Sequence, residues 1–160
     1  MVLRCGLLRW SLVLALVVMP APASALITMS FESVPGAVSL TGGGTSTASL
    51  DFGTVSAFEP VNAGVSRSVG AASYDISTNF GVRVTQALGV SANYTLRANL
   101  ASAHALTWRV NGVTMSTTAT TVAATQPFGS TVPHTLAFDV PFTHPAGLVT
   151  TVLEVIAIAN

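Results

Sequence analysis

The sequence predicts an all-β protein, an antiparallel β-sandwich of about eight strands. Three observations support this fold class. Apolar and polar residues alternate along most of the chain after residue 25, turn-forming residues recur at short intervals, and no stretch there has a sustained helical period. Threonine and valine are abundant, and branching at Cβ favours the extended backbone of a strand.

The first 25 residues have the pattern of a signal peptide. Arg4 and Arg9 come first, an apolar run extends over Trp10 to Met19, and the small residues Ala23-Ser24-Ala25 follow. The apolar run has about half the length that a permanent bilayer span requires. We therefore predict residues 1–25 as a signal peptide cleaved after Ala25, and residues 26–160 as a single secreted domain without a stable membrane span. The location is the periplasm, the cell surface or the medium.

The alternation of apolar and polar residues predicts half-buried strands and indicates which of their side chains face the core. It is clearest over four segments: Ile27–Phe31, Tyr74–Val84, Tyr94–Ala98 and Leu136–Val140. On a strand, every second side chain faces the same way, so the apolar set of each segment faces the core. The predicted core consists of Phe31, Phe52, Tyr74, Ile76, Val82, Tyr94, Leu96, Trp108, Val110, Leu136, Phe138 and Val140.

Turn-forming residues divide the chain between these strands. Asn111-Gly112 stands between Trp108–Val110 and Val113–Met115, and this dipeptide tolerates the positive φ angles of a type I′ hairpin turn. We predict a hairpin there. Further turns are expected at residues 34–36, 41–46, 60–64, 89, 126–132 and 145–147.

Two predicted strands depart from the alternating pattern. The apolar segment Leu50–Val55 contains Gly53, and a glycine inside a strand indicates a bulge or a close backbone approach. The segment Leu148–Ile158 is apolar on both faces, with Glu154 its only charged residue. Such a strand is either central in the sandwich or covered by a partner.

Charge and cysteine content exclude several classes of function. After residue 25 the chain has four arginines, six acidic residues and no lysine, which gives a net charge of −2. A nucleic-acid partner is not expected, because it would need a basic patch to displace counterions from phosphate. The only cysteine, Cys5, lies in the predicted signal peptide, so the mature domain has no disulfide and no thiolate ligand.

The mature chain resembles a known group of bacterial surface domains. It has an early Leu-Asp-Phe-Gly-Thr-Val strand at residues 50–55, then Val140-Pro141 and Pro145-Ala146-Gly147 before a final Thr/Val-rich strand. It is similar in these features to pilins of the chaperone–usher kind and to spore-coat-U-like secreted domains. The resemblance implies an immunoglobulin-like sandwich that polymerises by strand exchange. Two features depart from it: there is no disulfide, and the final strand is complete.

No catalytic, cofactor or metal site is predicted, and the protein is not expected to be an enzyme. His134, Asp139 and His144 are close in sequence, but strand parity turns Asp139 outward and places both histidines in turns. We expect these histidines, and His104, to be exposed. The chain lacks a G-x-S-x-G nucleophile elbow. The run Gly42–Gly44 lacks the lysine of a phosphate-binding loop, which leaves it as a flexible surface loop.

Two hypotheses of function remain. In the first, the protein is a structural or adhesive component of the cell surface, and a pilin-like subunit associates with itself or other surface proteins through strand edges. The candidate strand-exchange residues are Ile27, Met29 and Phe31, although this segment also fits as a strand of its own sandwich. In the second, the protein is an extracellular carbohydrate-binding module that stacks glycans on Trp108, Phe58 and Phe128. Trp108 lies two positions before Val110 on the same predicted strand. The two side chains therefore face the same way, and Trp108 also fits as a core residue.

Overall fold

A computed structural model of the chain describes the backbone of residues 8–16, 27–86 and 91–160, and the side chains of the last two ranges. These residues form two six-stranded sheets and no helix. In spatial order, the first sheet contains β10 (Thr120–Pro127), β7 (Asn93–Leu100), β12 (Val149–Ala159), β1 (Leu8–Leu16), β4 (Ala48–Val55) and β3 (Leu40–Thr41). The all-β prediction is confirmed.

The second sheet is built around a long central strand. In spatial order it contains β2 (Ile27–Glu32), β6 (Ser73–Gln86), β11 (Thr131–Pro141), β8 (Thr107–Val110) and β9 (Val113–Thr114), while β5 (Ser66–Val69) also pairs with β6. Neighbouring strands in both sheets are antiparallel, except that β1 runs parallel to β12. The described residues contain twelve strands and not about eight. Two of the additional strands, β3 and β9, are only two residues long, and β1 lies within the predicted signal peptide.

The inner faces of the two sheets bury one apolar core. Phe52 of the first sheet meets Phe138 of the second edge to face, with ring centroids 5.1 Å apart, and Trp108 packs on Phe138 at 4.6 Å. Offset and edge-to-face pairs of this kind add to the stabilisation from buried area. All twelve residues predicted for the core are buried. Their alternate spacing places them on the inner faces.

The predicted hairpin and the predicted bulge are both confirmed. Asn111 and Gly112 have φ angles of 50° and 79°, and they connect the paired residues Val110 and Val113. At the bulge, Gly53 lies opposite Trp10 and Asp51 lies opposite Ser11, which leaves Phe52 as the extra residue. Gly53 has a φ of 67°, and its amide donates to the Asp51 carboxylate at 2.8 Å. The glycine therefore allows β4 to bend.

The last strand, β12, lies at the centre of its sheet between β7 and β1. Its core face is buried at Thr151, Leu153 and Val155, whereas the apolar residues of its other face, Val152, Ile156 and Ile158, are partly exposed, Ile158 by 44%. The described residues include no helix that is long and apolar enough to cross a membrane.

Candidate functional site

The most unusual feature of the fold is the position of β1 inside the first sheet. The sequence predicts that residues 8–16 belong to a signal peptide, and in the structure their backbone pairs with strands on both sides. Seven residues, Trp10–Leu16, pair with Val149–Val155 of β12, and Leu8–Leu14 pair with Ala48–Val55 of β4. The cleavage motif Ala23-Ser24-Ala25 lies outside the described residues. The signal peptide stays a prediction.

Without residues 8–16, the first sheet would divide into two parts. Strands β10, β7 and β12 would remain on one side, and β4 with the two-residue strand β3 on the other. Strands in a sheet are about 4.8 Å apart, so the gap would be about 10 Å wide, the width of one further strand. We call this space between Ala48–Val55 and Val149–Val155 the β4–β12 slot.

The core sides of both walls of the β4–β12 slot are apolar. Leu50 and Phe52 on β4, and Leu153 and Val155 on β12, are buried. Thr151 is the polar member, and its buried hydroxyl has no hydrogen-bond partner among the described side chains and backbone groups. An empty slot would expose these apolar side chains and two rows of unpaired backbone groups. Unpaired strand edges are templates for pairing with another chain.

The candidate strand-exchange segment forms β2, at one edge of the second sheet. Residues 27–32 pair with β6, so Met29 lies opposite Val84 and Phe31 opposite Val82. Both side chains are buried, and Ile27 packs against the core. The segment thus pairs within its own sandwich, as one of the two sequence alternatives expects.

The outer edge of β2 is only partly engaged. Phe31 exchanges backbone hydrogen bonds with Thr45 and Gly44, at 2.9 Å and 2.7 Å. The Gly42–Gly44 run lies at the surface, as expected, and its turn is bonded to β2 through Phe31. Nearer the start of β2, no described strand pairs with the outer edge of residues 27–30. After β2 the chain turns at Gly36, whose φ is 76°.

Of the three candidate sugar-stacking residues, only Phe58 offers a ring face at the surface. Its side chain is 70% exposed and stacks on Phe142, itself 43% exposed, with centroids 6.3 Å apart and planes 16° apart. Tyr74 stacks on Phe142 in turn, at 6.1 Å. We call Phe58, Phe142 and Tyr74 the aromatic stack. Sequence reasoning missed Phe142, because a residue beside a turn gives no parity signal.

The other two sugar-stacking candidates are covered. Trp108 is buried, and its indole N–H donates to Nδ1 of His104 at 3.1 Å. Phe128 is half-buried and packs on Tyr94 with ring centroids 5.2 Å apart. Trp108 is therefore a core residue, and its ring is not available to a glycan.

His104 is a structural partner of Trp108. Its Nδ1 accepts from the Trp108 indole and from the amide of Leu106, at 3.1 Å and 3.0 Å. Burial lowers the pKa of His104, which keeps the ring neutral and Nδ1 free to accept. Half-buried rather than exposed, it ties the loop after β7 to the core.

The expectation that His134 is exposed is wrong. Strand β11 begins at Thr131, so His134 lies within the strand at an inward position and is only 2% exposed. Its Nδ1 lies 2.9 Å from the side-chain nitrogen of Asn111, and its ring packs on that of Phe80, with the ring centroids 5.7 Å apart. Burial lowers its pKa to about 4.

In residues 27–86 and 91–160, whose side chains the structure describes, other polar residues do not converge on a centre for chemistry. Asp139 lies on the half-exposed outer face of β11, and Arg109 forms an ion pair with Asp75 across the same sheet. Within the ranges that the structure describes, no group of three or more histidine, cysteine or acidic residues could hold a metal ion. Among the described residues, the β4–β12 slot and the aromatic stack are features that suggest binding. Comparison of the chain with protein families and with curated proteins finds no match.

Proposed function

We propose that this protein is a secreted structural or adhesive component of the cell surface, a pilin-like subunit that assembles through strand edges. The observation that carries the proposal is the β4–β12 slot. A segment with the sequence of a signal peptide supplies a central strand, so its removal leaves a processed subunit with one strand position to fill. Strand addition supplies backbone hydrogen bonds and side-chain pockets together.

The β2 segment of a second copy is the donor that this fold favours. In its own sheet, β2 has β6 on one edge and only the bridge at Phe31 on the other. In the β4–β12 slot of a neighbour it would pair on both edges. After exchange, the first sheet has all its strands and the second sheet lacks its edge strand β2. Loss of an edge strand leaves fewer backbone groups without partners than loss of a central strand.

Exchange also has a cost that the slot must offset. Met29 and Phe31 leave buried positions, and each loses about 1.5–3 kcal/mol of burial free energy unless it is buried again. The slot can receive them, because its core side is lined by Leu50, Phe52, Leu153 and Val155. The length of β2 is six residues, which is close to the seven residues of β12 that pair with β1. Length and alternation therefore both fit.

The size of the processed chain tests this proposal. Residues 26–160 should form multimers at high concentration in light scattering. A version starting at Val38, which lacks the donor, should not, and it should bind an added peptide of residues 26–37. In that peptide Phe31→Asp should abolish binding, whereas Thr28→Asp, at an exposed position, should preserve it. A strictly monomeric 26–160 would contradict the proposal.

Secretion is tested separately, by N-terminal sequencing. Protein recovered from the periplasm or the culture medium should begin at Leu26, since the A-x-A motif ends at Ala25. Intact Met1 in the soluble cytoplasm would refute the secretion of this chain.

The aromatic stack favours a second candidate function, carbohydrate binding. Exposed, parallel aromatic rings present apolar faces to the C–H groups of a sugar ring, and Phe58 is the most exposed large apolar residue described. A glycan array probed with the whole protein should then give signals that Phe58→Ala abolishes. Phe128→Ala is the matched control, because Phe128 lies against Tyr94. Equal signals from both variants would remove this candidate.

A further inference from the structure

We infer that residues 8–16 block the β4–β12 slot in the unprocessed chain, so that removal of the N-terminal segment is the step that permits assembly. The inference rests on the proposed function and adds its regulation. One segment would thus serve twice, first as an export signal and then as an internal strand that prevents premature pairing.

The geometry of β1 supports complete blockage. Seven residue pairs join β1 to β12 and seven join it to β4, over the same stretch of both walls. A neighbour's strand needs the same backbone groups, so the two strands cannot occupy the slot together. The bulge at Gly53 lies in the part of β4 that pairs with β1. The register between these two strands shifts there, between Trp10 and Ser11.

The composition of residues 8–16 explains how one segment can be both an export signal and an internal strand. An export signal needs a predominantly apolar run of about 7–15 residues. A central strand of a sheet that packs on the core needs apolar residues at its core-facing positions, which are every second residue. Leu12 to Leu16 has no polar residue.

The chemical step is the hydrolysis of one peptide bond. A peptidase adds water across the Ala25–Leu26 bond, which leaves a carboxylate on Ala25 and an amino group on Leu26. Residues 8–16 are then no longer covalently tethered to the domain. Before cleavage the segment competes within the same molecule at a high effective concentration, and after it the segment can be lost by dilution.

Register positions provide a matched pair of variants. Position 12 stands opposite Leu50 and Thr151, both buried, so a charge there should weaken occupancy of the slot. Position 13 stands opposite Ser49 and Val152, both partly exposed, so a charge there should be tolerated. Leu12→Asp is therefore the test variant and Val13→Asp its control.

The experiment uses the full chain of 160 residues with a specific protease site inserted after Ala25. Light scattering measures assembly, and hydrogen exchange measures the protection of backbone amides in β4 and β12. The uncut chain should remain monomeric with slow exchange in both strands. After cleavage and removal of the N-terminal peptide, exchange in these strands should accelerate at low concentration, and multimers should form at high concentration.

The variants and an added peptide complete the test. Uncut Leu12→Asp should assemble as the cut chain does, uncut Val13→Asp should not, and free peptide 8–16 added to the cut chain should inhibit assembly. The inference is overturned if the uncut chain assembles as fast as the cut chain, or if exchange in β4 and β12 is unchanged by cleavage. A cut chain that stays monomeric with exposed slot amides would instead contradict the proposed assembly and support occupancy of the slot by residues 8–16.

Discussion

At the scale of single residues, the buried ring of His134 is bonded to Asn111, an exposed residue of the hairpin turn. The Asn111 side chain donates to the carbonyl of Val122 and to Nδ1 of His134, at 3.0 Å and 2.9 Å, and accepts from the amide of Thr135. These bonds link a residue of the first sheet, Val122, to the second. Because Nδ1 accepts a hydrogen bond, the ring proton is on Nε2. Protonation of Nδ1 would therefore break the Asn111 contact.

We expect the free energy of unfolding to fall as the pH falls from about 6.5 to about 4. The folded state keeps the pKa of His134 near 4, while the unfolded chain has the ordinary value near 6.5. Between these pH values the unfolded state binds more protons than the folded state. The stabilisation is therefore present above pH 6.5 and is lost by about pH 4, which lowers the free energy of unfolding by about 3 kcal/mol. Urea denaturation across this range measures it.

The control for this pH dependence is His134→Leu, which removes the titrating ring. Its unfolding free energy should be lower at neutral pH, because the Asn111 contact is lost, and should depend less on pH. His104 contributes in the same direction, since its pKa is also lowered. A variant whose pH profile matches that of the original chain would contradict the assignment to His134.

Truncation of two aromatic residues should change the free energy of unfolding by very different amounts. Trp108→Ala should lower the free energy of unfolding by about 3–5 kcal/mol, because it leaves a cavity beside Phe138 and removes the partner of His104. Phe58→Ala should change it by no more than about 0.5 kcal/mol, because the side chain is largely exposed. Chemical denaturation of both variants measures the contrast, and a small loss at Trp108 would argue against its burial.

At the scale of strands, the sequence predicts those elements whose signals are local. Alternation identifies β2, β6, β7 and β11, and Asn111-Gly112 identifies the hairpin between β8 and β9. The prediction fails at the start of β11, where Pro133 suggests a turn. Pro133 instead lies within the strand, beyond the part of β11 that pairs with β8, where the missing N–H can be tolerated. The early start of the strand carries His134 into the core.

A turn next to β6 gives a test at this scale. Gly64 and Gly36 both have positive φ angles, but a Cβ on Gly64 would lie 2.2 Å from the carbonyl carbon of Ala37, whereas one on Gly36 would meet nothing within 4 Å. The Thr78 hydroxyl fixes this contact by donating to the Gly64 carbonyl and accepting from the Val38 amide. The backbone there cannot easily move apart.

We therefore expect Gly36→Ala to cost about 1 kcal/mol, the cost of a left-handed backbone for alanine. Gly64→Ala should cost about 1–3 kcal/mol more, because the added methyl group overpacks the site. Thermal denaturation of the two variants isolates the steric term, since the conformational term is common to both. Equal losses would mean that the Gly64 turn relaxes freely.

At the scale of the whole molecule, the candidate site combines segments that are far apart in the chain. The β4–β12 slot is bounded by residues 48–55 and 149–155 and filled by residues 8–16. The sequence predicts each wall as an apolar strand, but nothing local indicates that they are neighbours. The apolar run of residues 10–19 also matches an export signal and has no alternation, so its pairing could not be predicted. Tertiary pairing, and not propensity, determines this part of the fold.

The proposed assembly makes the stability of the processed chain depend on its concentration. In monomers of residues 26–160 the first sheet would be divided, and in multimers the slot would be filled, so assembly would stabilise the folded state by mass action. We expect the Tm of residues 26–160 to rise with protein concentration in scanning calorimetry. Saturating peptide 8–16 should raise the Tm and remove this dependence, because it fills every slot in place of a neighbour. The same peptide with Leu12→Asp should do neither. A Tm that is constant over a hundredfold range of concentration would show that the slot of one subunit is not completed by another.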